Sequence, residues 1–315
     1  MQLTRRELIS ASGVAIGCSL LGLRQGFAQQ PGQAPGRDRL VLLGTKGGPS
    51  VWSYTPSPAS NLLVYKGIAH IIDAGYGTTF KLIEAGLPLT AIRRVFITHH
   101  HSDHNVDVGP MLSTAWANGL ATTVDVYGPA GLNALINGYW ESNRFDIETR
   151  IADESRVDLR KLVAAHEYSP GVVLDTPDVK VTALRNLHPP IIESFALKFE
   201  FGGKIVVFSG DTTYFPPLAE FARGADYLIH EVMYGPAIEA YVKRMGNAAT
   251  LLEHAKASHT LAEDVGRIAT AAGVKTLVLN HFVPYNVAPE KWTDAARTTF
   301  AGNIVVGKDL LELPI

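Results

Sequence analysis

A layered α/β fold, with sheets inside and helices outside, is what three features of this 315-residue sequence predict. Short apolar runs bounded by Gly and Pro recur along the chain. Helical stretches alternate with them, and 46% of the residues are hydrophobic against 18% charged. This composition excludes a disordered or fibrous chain. A formal charge of −2 offers no basic field for nucleic acid, and a single Cys excludes a disulfide framework or a multi-cysteine zinc site.

The N-terminus reads as an address. Arg5-Arg6 follow Thr4, residues 8–23 are apolar, and Gly26 and Ala28 precede Gln29-Gln30-Pro31. A basic start, an uncharged apolar stretch and a small-x-small cleavage site make residues 1–28 an export signal, and Thr-Arg-Arg-Glu-Leu-Ile is similar to the twin-arginine type. Gly13 and Gly17 interrupt the stretch, which favours cleavage over a membrane anchor. Cleavage after Ala28 removes Cys18 and leaves 25 basic and 29 acidic residues, net −4, in a thiol-free periplasmic or secreted protein. Residues 29–38, rich in Gln, Pro and Gly, are expected to form a flexible leader, and 39–315 the folded domain.

Within that domain strands are expected at 40–43, 61–65, 71–72, 94–98, 123–127, 179–184, 195–201, 204–209, 226–230, 276–279 and 303–306. Helices are expected at 78–85, ending at Gly86, and at 248–256, 260–272 and 288–300. Residues 131–166 are long, polar and helix-prone, and Gly202-Gly203 marks a tight turn.

The local feature with the most chemistry is Thr98-His99-His100-His101-Ser102-Asp103-His104, directly after an apolar strand. In extended backbone His99 and His101 point the same way and His100 the opposite way. Asp103 and His104 follow where the chain can turn back toward the same cavity. Imidazole and carboxylate together suit zinc or a similar divalent ion. His188, Asp211 and His281 each stand where another apolar strand ends, and together they complete a coordination set.

These residues resemble the metallo-β-lactamase superfamily, whose hallmark is His99-x-His101-x-Asp103-His104. Leu43-Gly44-Thr45 with Gly47-Gly48-Pro49, Ile72-Asp73-Ala74-Gly75 and Ser209-Gly210-Asp211-Thr212 match as well. His230-Glu231, Ser258-His259-Thr260 and Asn280-His281-Phe282 are similar to the ribonuclease Z and arylsulfatase-like branch. Lys46 stands where that pattern usually has a third Gly.

The resemblance implies a four-layer αβ/βα sandwich and two metal ions, zinc first, with manganese or iron as alternatives. His99, His101 and His188 would hold one ion, Asp103, His104 and His281 the other, and Asp211 would bridge. Two such ions clamp a hydroxide and stabilise charge on the attacked and leaving oxygens. Asp103 would also orient that nucleophile, Asp73 would fix a ligating His from behind, and His230 would stand in the same supporting shell. His259 with Glu231 would form the acid pair, with His259 at a helix N-terminus because Thr260-Leu261-Ala262-Glu263 reads as a capping box. His254 and His166 read as surface residues, and His70 as a strand residue.

The implied activity is hydrolysis of a small phosphodiester or aryl sulfate ester. Alternatives are a lactonase, β-lactamase or carboxylic-ester hydrolase, a tRNA 3′-processing ribonuclease Z, and a non-catalytic binding protein. The tRNA enzymes of this branch carry a long arm between the positions matched by His188 and Asp211. Only 22 residues separate them here, and with the charge and the export signal this speaks against a nucleic-acid partner. Residues 131–166, with Tyr139, Trp140 and Phe145, are expected to be a helical lid over the pocket or a homodimer contact. Phe282, Tyr285 and Tyr234 are candidates for an aromatic wall.

Overall fold

The computed structural model describes residues 36–51, 53, 56–245 and 249–315, so the export signal and nearly all of the leader lie outside the described residues. Strands β1 (Arg39–Gly44), β2 (Ser60–Tyr65), β3 (Ile68–Ala74), β4 (Ile92–Phe96), β5 (Val124–Gly128) and β6 (Val163–Glu167) form one sheet in chain order. Strands β7 (Gly171–Asp175), β8 (Lys180–Arg185), β9 (Phe195–Phe201), β10 (Lys204–Phe208), β11 (Tyr227–Met233), β12 (Thr276–Val283) and β13 (Asn303–Val306) form the other. β14 (Leu311–Leu313) returns to pair with β1.

Each sheet begins antiparallel and continues parallel, from β3 onward in the first and from β10 onward in the second. Parallel neighbours need crossovers, and these carry the helices. The first sheet has α1 (Thr78–Glu84), α2 (Ser102–Asn105), α3 (Val108–Ala117), α4 (Leu132–Ser142) and α5 (Arg144–Glu154). The second has α6 (Pro217–Phe221), α7 (Gly235–Met245), α8 (Leu251–Ser258), α9 (Ala262–Ala272) and α10 (Pro289–Arg297).

The continuous apolar run of β1 shows why the layers number four. Leu40 and Leu42 enter the core between the sheets, while Val41 and Leu43 enter the core under the helices of the first sheet. Alternation along a strand buries both faces at once. Each such Leu or Val contributes about 1.5–3 kcal/mol of burial. Phe96 bridges the two sheets, stacked on Tyr127 at 4.8 Å and edge-on to Phe199 at 5.2 Å.

Several expected boundaries shift. Residues 131–166 do hold two helices, but their end pairs with β5 as edge strand β6, with His166 exposed on it. β12 continues through His281 to Val283, and α3, α6, α7, β7 and β14 have no counterpart in the pattern reading.

His70 lies on β3 in the inter-sheet core, fully buried, its ring near Phe96 and Phe199, with no partner on either nitrogen. Burial, aided by Arg94, lowers its pKa to about 3. The unfolded imidazole therefore binds a proton that the folded one refuses between pH ~6.5 and ~3, and stability falls as pH drops through that window. His70→Leu is expected to gain about 2 kcal/mol relative to wild type between pH 7 and pH 5 in urea titrations. An unchanged difference at the two pH values would contradict this.

Candidate metal centre

The parallel strands deliver the donors. β4 ends at Phe96, the chain bends at residues 98–100, and His101, itself extended, leads into α2, which carries Asp103 and His104 back. His99 Nε2 and His188 Nε2 each lie 3.1 Å from His101 Nδ1, and Asp211 Oδ2 lies 3.9 and 4.0 Å from the same two Nε2 atoms. Beside them His104 Nε2 is 3.1 Å from His281 Nε2, which is 3.3 Å from Asp103 Oδ2 and 3.2 Å from Asp211 Oδ2. Asp211 Oδ1 completes this group, 3.3 Å from His104 Nε2. Within each group the donor atoms lie within 4.8 Å of one another, and Asp211 belongs to both.

Two of the residues depend on bulges. Asp73 is the extra residue where β3 slips against β2, and His281 the extra residue where β12 slips against β11. Both adopt left-handed backbone, φ 61° and 46°. Such a non-glycine residue costs on the order of 1–3 kcal/mol and here re-aims a side chain. Asp73 Oδ2 accepts from His104 Nδ1 at 2.9 Å, and both Asp73 oxygens accept from the Thr98 hydroxyl. That hydroxyl lies 3.1 Å from His99 Nδ1. His188 Nδ1 donates to the Ser258 carbonyl at 2.9 Å.

With each Nδ1 thus engaged, the Nε2 atoms of His99, His104 and His188 face other imidazoles and carboxylates. Tetrahedral bonds of about 2.0–2.1 Å place neighbouring donors about 3.3 Å apart, close to the spacings seen within each group. Burial holds His99 well below its ordinary pKa, while Asp211, Asp73 and Asp103 raise His104 well above it against its own burial. The donors fit two divalent cations.

Near these groups His259 Nδ1 lies 3.3 Å from Glu231 Oε2, and Glu231 Oε1 accepts from the Thr260 amide at 2.7 Å. Burial opposes the imidazolium, but Glu231, with Asp211 and Asp103 farther off, raises His259 to about 9. The expected capping box does not form. The Thr260 hydroxyl instead donates to the Thr212 carbonyl at 2.6 Å, α9 starts only at Ala262, and His259 ends α8. That bond ties the His259 segment to the loop carrying Asp211.

A cavity of about 420 Å³ opens over both groups, and His101, Asp103, Asp211 and His259 reach it from below. Its apolar wall is α7–α8, with Ile238, Tyr241, Leu251 and Ala255. None of residues 131–166 lines this cavity, so the expected lid is not formed by them. Trp140 is buried in the core of the first sheet and Tyr139 packs against that core; neither lines the cavity. Of the three expected wall aromatics only Tyr285 does, since Phe282 and Tyr234 pack around Trp292.

His254 is no surface residue: α8 turns it into the cavity, its ring 6.3 Å from those of His101 and His188. His230 does not support the donors. On β11 it alternates with Glu231 and points to the helix side with Leu228 and Val232, its Nδ1 on the Glu231 carbonyl. His100 turns away, 3.3 Å from the Pro129 carbonyl. Thr98 heads the His run in the sequence but carries no expected role; its hydroxyl, between Asp73 and His99, gives it one.

Fold and donor set together define a metal-dependent hydrolase of the metallo-β-lactamase fold, homologous to ribonuclease Z. The chain belongs to the Anti-Pycsar protein Apyc1 family, whose sequence model matches residues 39–242. Ribonuclease Z of Mycobacterium marinum is 30% identical over 281 residues, spanning 88% of this chain and 98% of that protein. That of Mycobacterium bovis is 29% identical over 282 residues, with the same shares. Among solved structures, human tRNase Z, short form, superposes with a TM-score of 0.65 at 21% identity, covering 88% of this chain and 99% of that one. The metallo-β-lactamase fold protein YhfI of Bacillus subtilis gives the same score and identity over 87% and 98%.

Proposed function

We propose that the chain hydrolyses a small phosphodiester, with an aryl sulfate ester as the second substrate class, using two zinc ions held by His99, His101, His188, Asp103, His104, His281 and a bridging Asp211. The observation that carries this reading is the His259–Glu231 pair beside the two donor groups, within a cavity sized for a small ester. Bound there, the ions would supply Lewis acidity and activate a water. Asp103 fixes the direction of attack. Glu231 occupies Nδ1 of His259, which leaves Nε2–H to protonate the departing oxygen. Tyr241, Ile238 and Leu251 cover the organic part of the ester and exclude water.

Export through the twin-arginine route into the periplasm or beyond is part of the proposal and rests on residues 1–28. The ribonuclease Z relatives keep RNA as a competing substrate. Against it stands the stretch between His188 and Asp211, where β9, a Gly202-Gly203 turn and β10 leave no room for an arm.

The test is a panel assayed with the zinc- or manganese-loaded protein: bis-p-nitrophenyl phosphate, p-nitrophenyl sulfate, nitrocefin, a homoserine lactone and a tRNA precursor. Turnover of the first, or of the first two, is expected. Activity confined to nitrocefin and the lactone would overturn the reading, and activity confined to the tRNA precursor would replace it with RNA processing.

A further inference from the structure

The loop that reaches Asp103 is held from behind by a buried lysine. Gly48 adopts φ 79°, open to glycine, and its amide donates to Asp103 Oδ2 at 2.8 Å. That same oxygen faces His281 Nε2 at 3.3 Å. Lys46, only 2% exposed, donates its ammonium to the Gly48 carbonyl, spanning the turn. Its own amide donates to the Ser57 carbonyl at 2.9 Å, and its backbone bridges Pro58 and Phe282.

Asp309 fastens both ends of this loop. Oδ1 accepts from the Thr45 amide and hydroxyl at 3.1 and 2.9 Å, and Oδ2 accepts from the Ser57 amide at 2.8 Å. Lys81, a buried residue of α1, comes within 3.7 Å of the same carboxylate. A buried ammonium is costly unless its bonds are needed, and this one bonds the turn rather than lining the cavity.

We propose that Lys46 is a positioning residue that clamps the Gly47-Gly48 turn, so that the Gly48 amide presets the Asp103 carboxylate for the second metal ion. Two effects of the ammonium oppose each other. Its charge repels a cation near Asp103, while its bond saves the cost of ordering the carboxylate when the ion arrives. The clamp dominates, because the bond is direct and the amide it positions contacts the ligating oxygen itself.

This inference rests on the two-metal reading above, and the test separates them. The full chain, stripped of metal, is titrated with cobalt(II) and followed by its visible absorption. Wild type is expected to take two ions. Lys46→Met, with no donor, should keep one site unchanged and weaken the other by about 10–100-fold, with an altered cobalt spectrum. Lys46→Gln keeps an N–H but not the charge and should recover most of the loss.

Wild type binding fewer than two cobalt ions would sink the two-metal reading and the clamp with it. Two ions held by Lys46→Met with unchanged or tighter affinity would overturn the clamp alone. Equal weakening in the Met and Gln variants would do so too, because the N–H that Gln retains would then make no difference. So would a lowered Tm of the metal-free Lys46→Met protein with both affinities intact.

Discussion

Asp211→Ala should leave at most one metal ion per chain and reduce kcat/KM by more than about 100-fold, a floor set by what even indirect supports of metal sites contribute. Asp211 is 3% exposed, and its carboxylate is the one group shared by both donor clusters. Removing it leaves His99, His101 and His188 on one side and Asp103, His104 and His281 on the other, with bare nitrogen lone pairs confronting one another. A 100-fold weaker site at saturating metal corresponds to about 2.7 kcal/mol of lost stabilisation, so metal should raise Tm far less in the variant than in wild type. Metal content by mass spectrometry after dialysis decides the matter. A variant retaining two ions would remove Asp211 from the bridge.

His259→Ala should distinguish leaving groups. Protonation by a positioned acid contributes about 10²–10⁴-fold where the departing oxygen is basic, and little where it is stable as an anion. The variant is therefore expected to lose at least about 100-fold on alkyl phosphodiesters and only a few-fold on p-nitrophenyl esters. Equal losses on both would assign His259 to binding.

The pH profile supplies the sign. With His259 raised to about 9, the acid is in its protonated, active form at neutral pH, and rates on alkyl substrates should fall as pH rises through about 9. Glu231→Gln removes the carboxylate that sustains the imidazolium and should move that fall to lower pH. A profile unchanged by Glu231→Gln would separate the pair.

Much of this site could be read from the chain because its donors come as a contiguous run at a strand end. Strand periodicity alone orients His99 with His101 and turns His100 away. His188, Asp211 and His281 are legible as strand-end residues, but only a resemblance groups them with the first four. What escapes is whatever depends on how elements dock. The bulges at Asp73 and His281 arise from register between strands, which no single segment encodes.

The same limit applies to the helices. Which face of α8 meets the cavity is decided by packing, so His254 reads as an ordinary helix residue. Thr260 shows the conflict openly: a sequence that satisfies the capping pattern loses its hydroxyl to Thr212, because tying two loops together outweighs closing one helix turn. Tyr139 and Trp140 misled in the opposite way, since an aromatic pair on a polar helical hairpin serves the core of its own layer.

The donor clusters also divide along the seam between the sheets. His99, His101, Asp103 and His104 hang from the first half of the chain, and His188, Asp211 and His281 from the second, with each cluster drawing on both. Neither half alone can assemble a site, so ions bound here act as rivets between two hemispheres. Their binding energy is spent on docking rather than on either half's internal order. Chelation should therefore loosen the joint, as faster amide exchange at the facing strand ends near Asp73 and His281, well before either sheet frays.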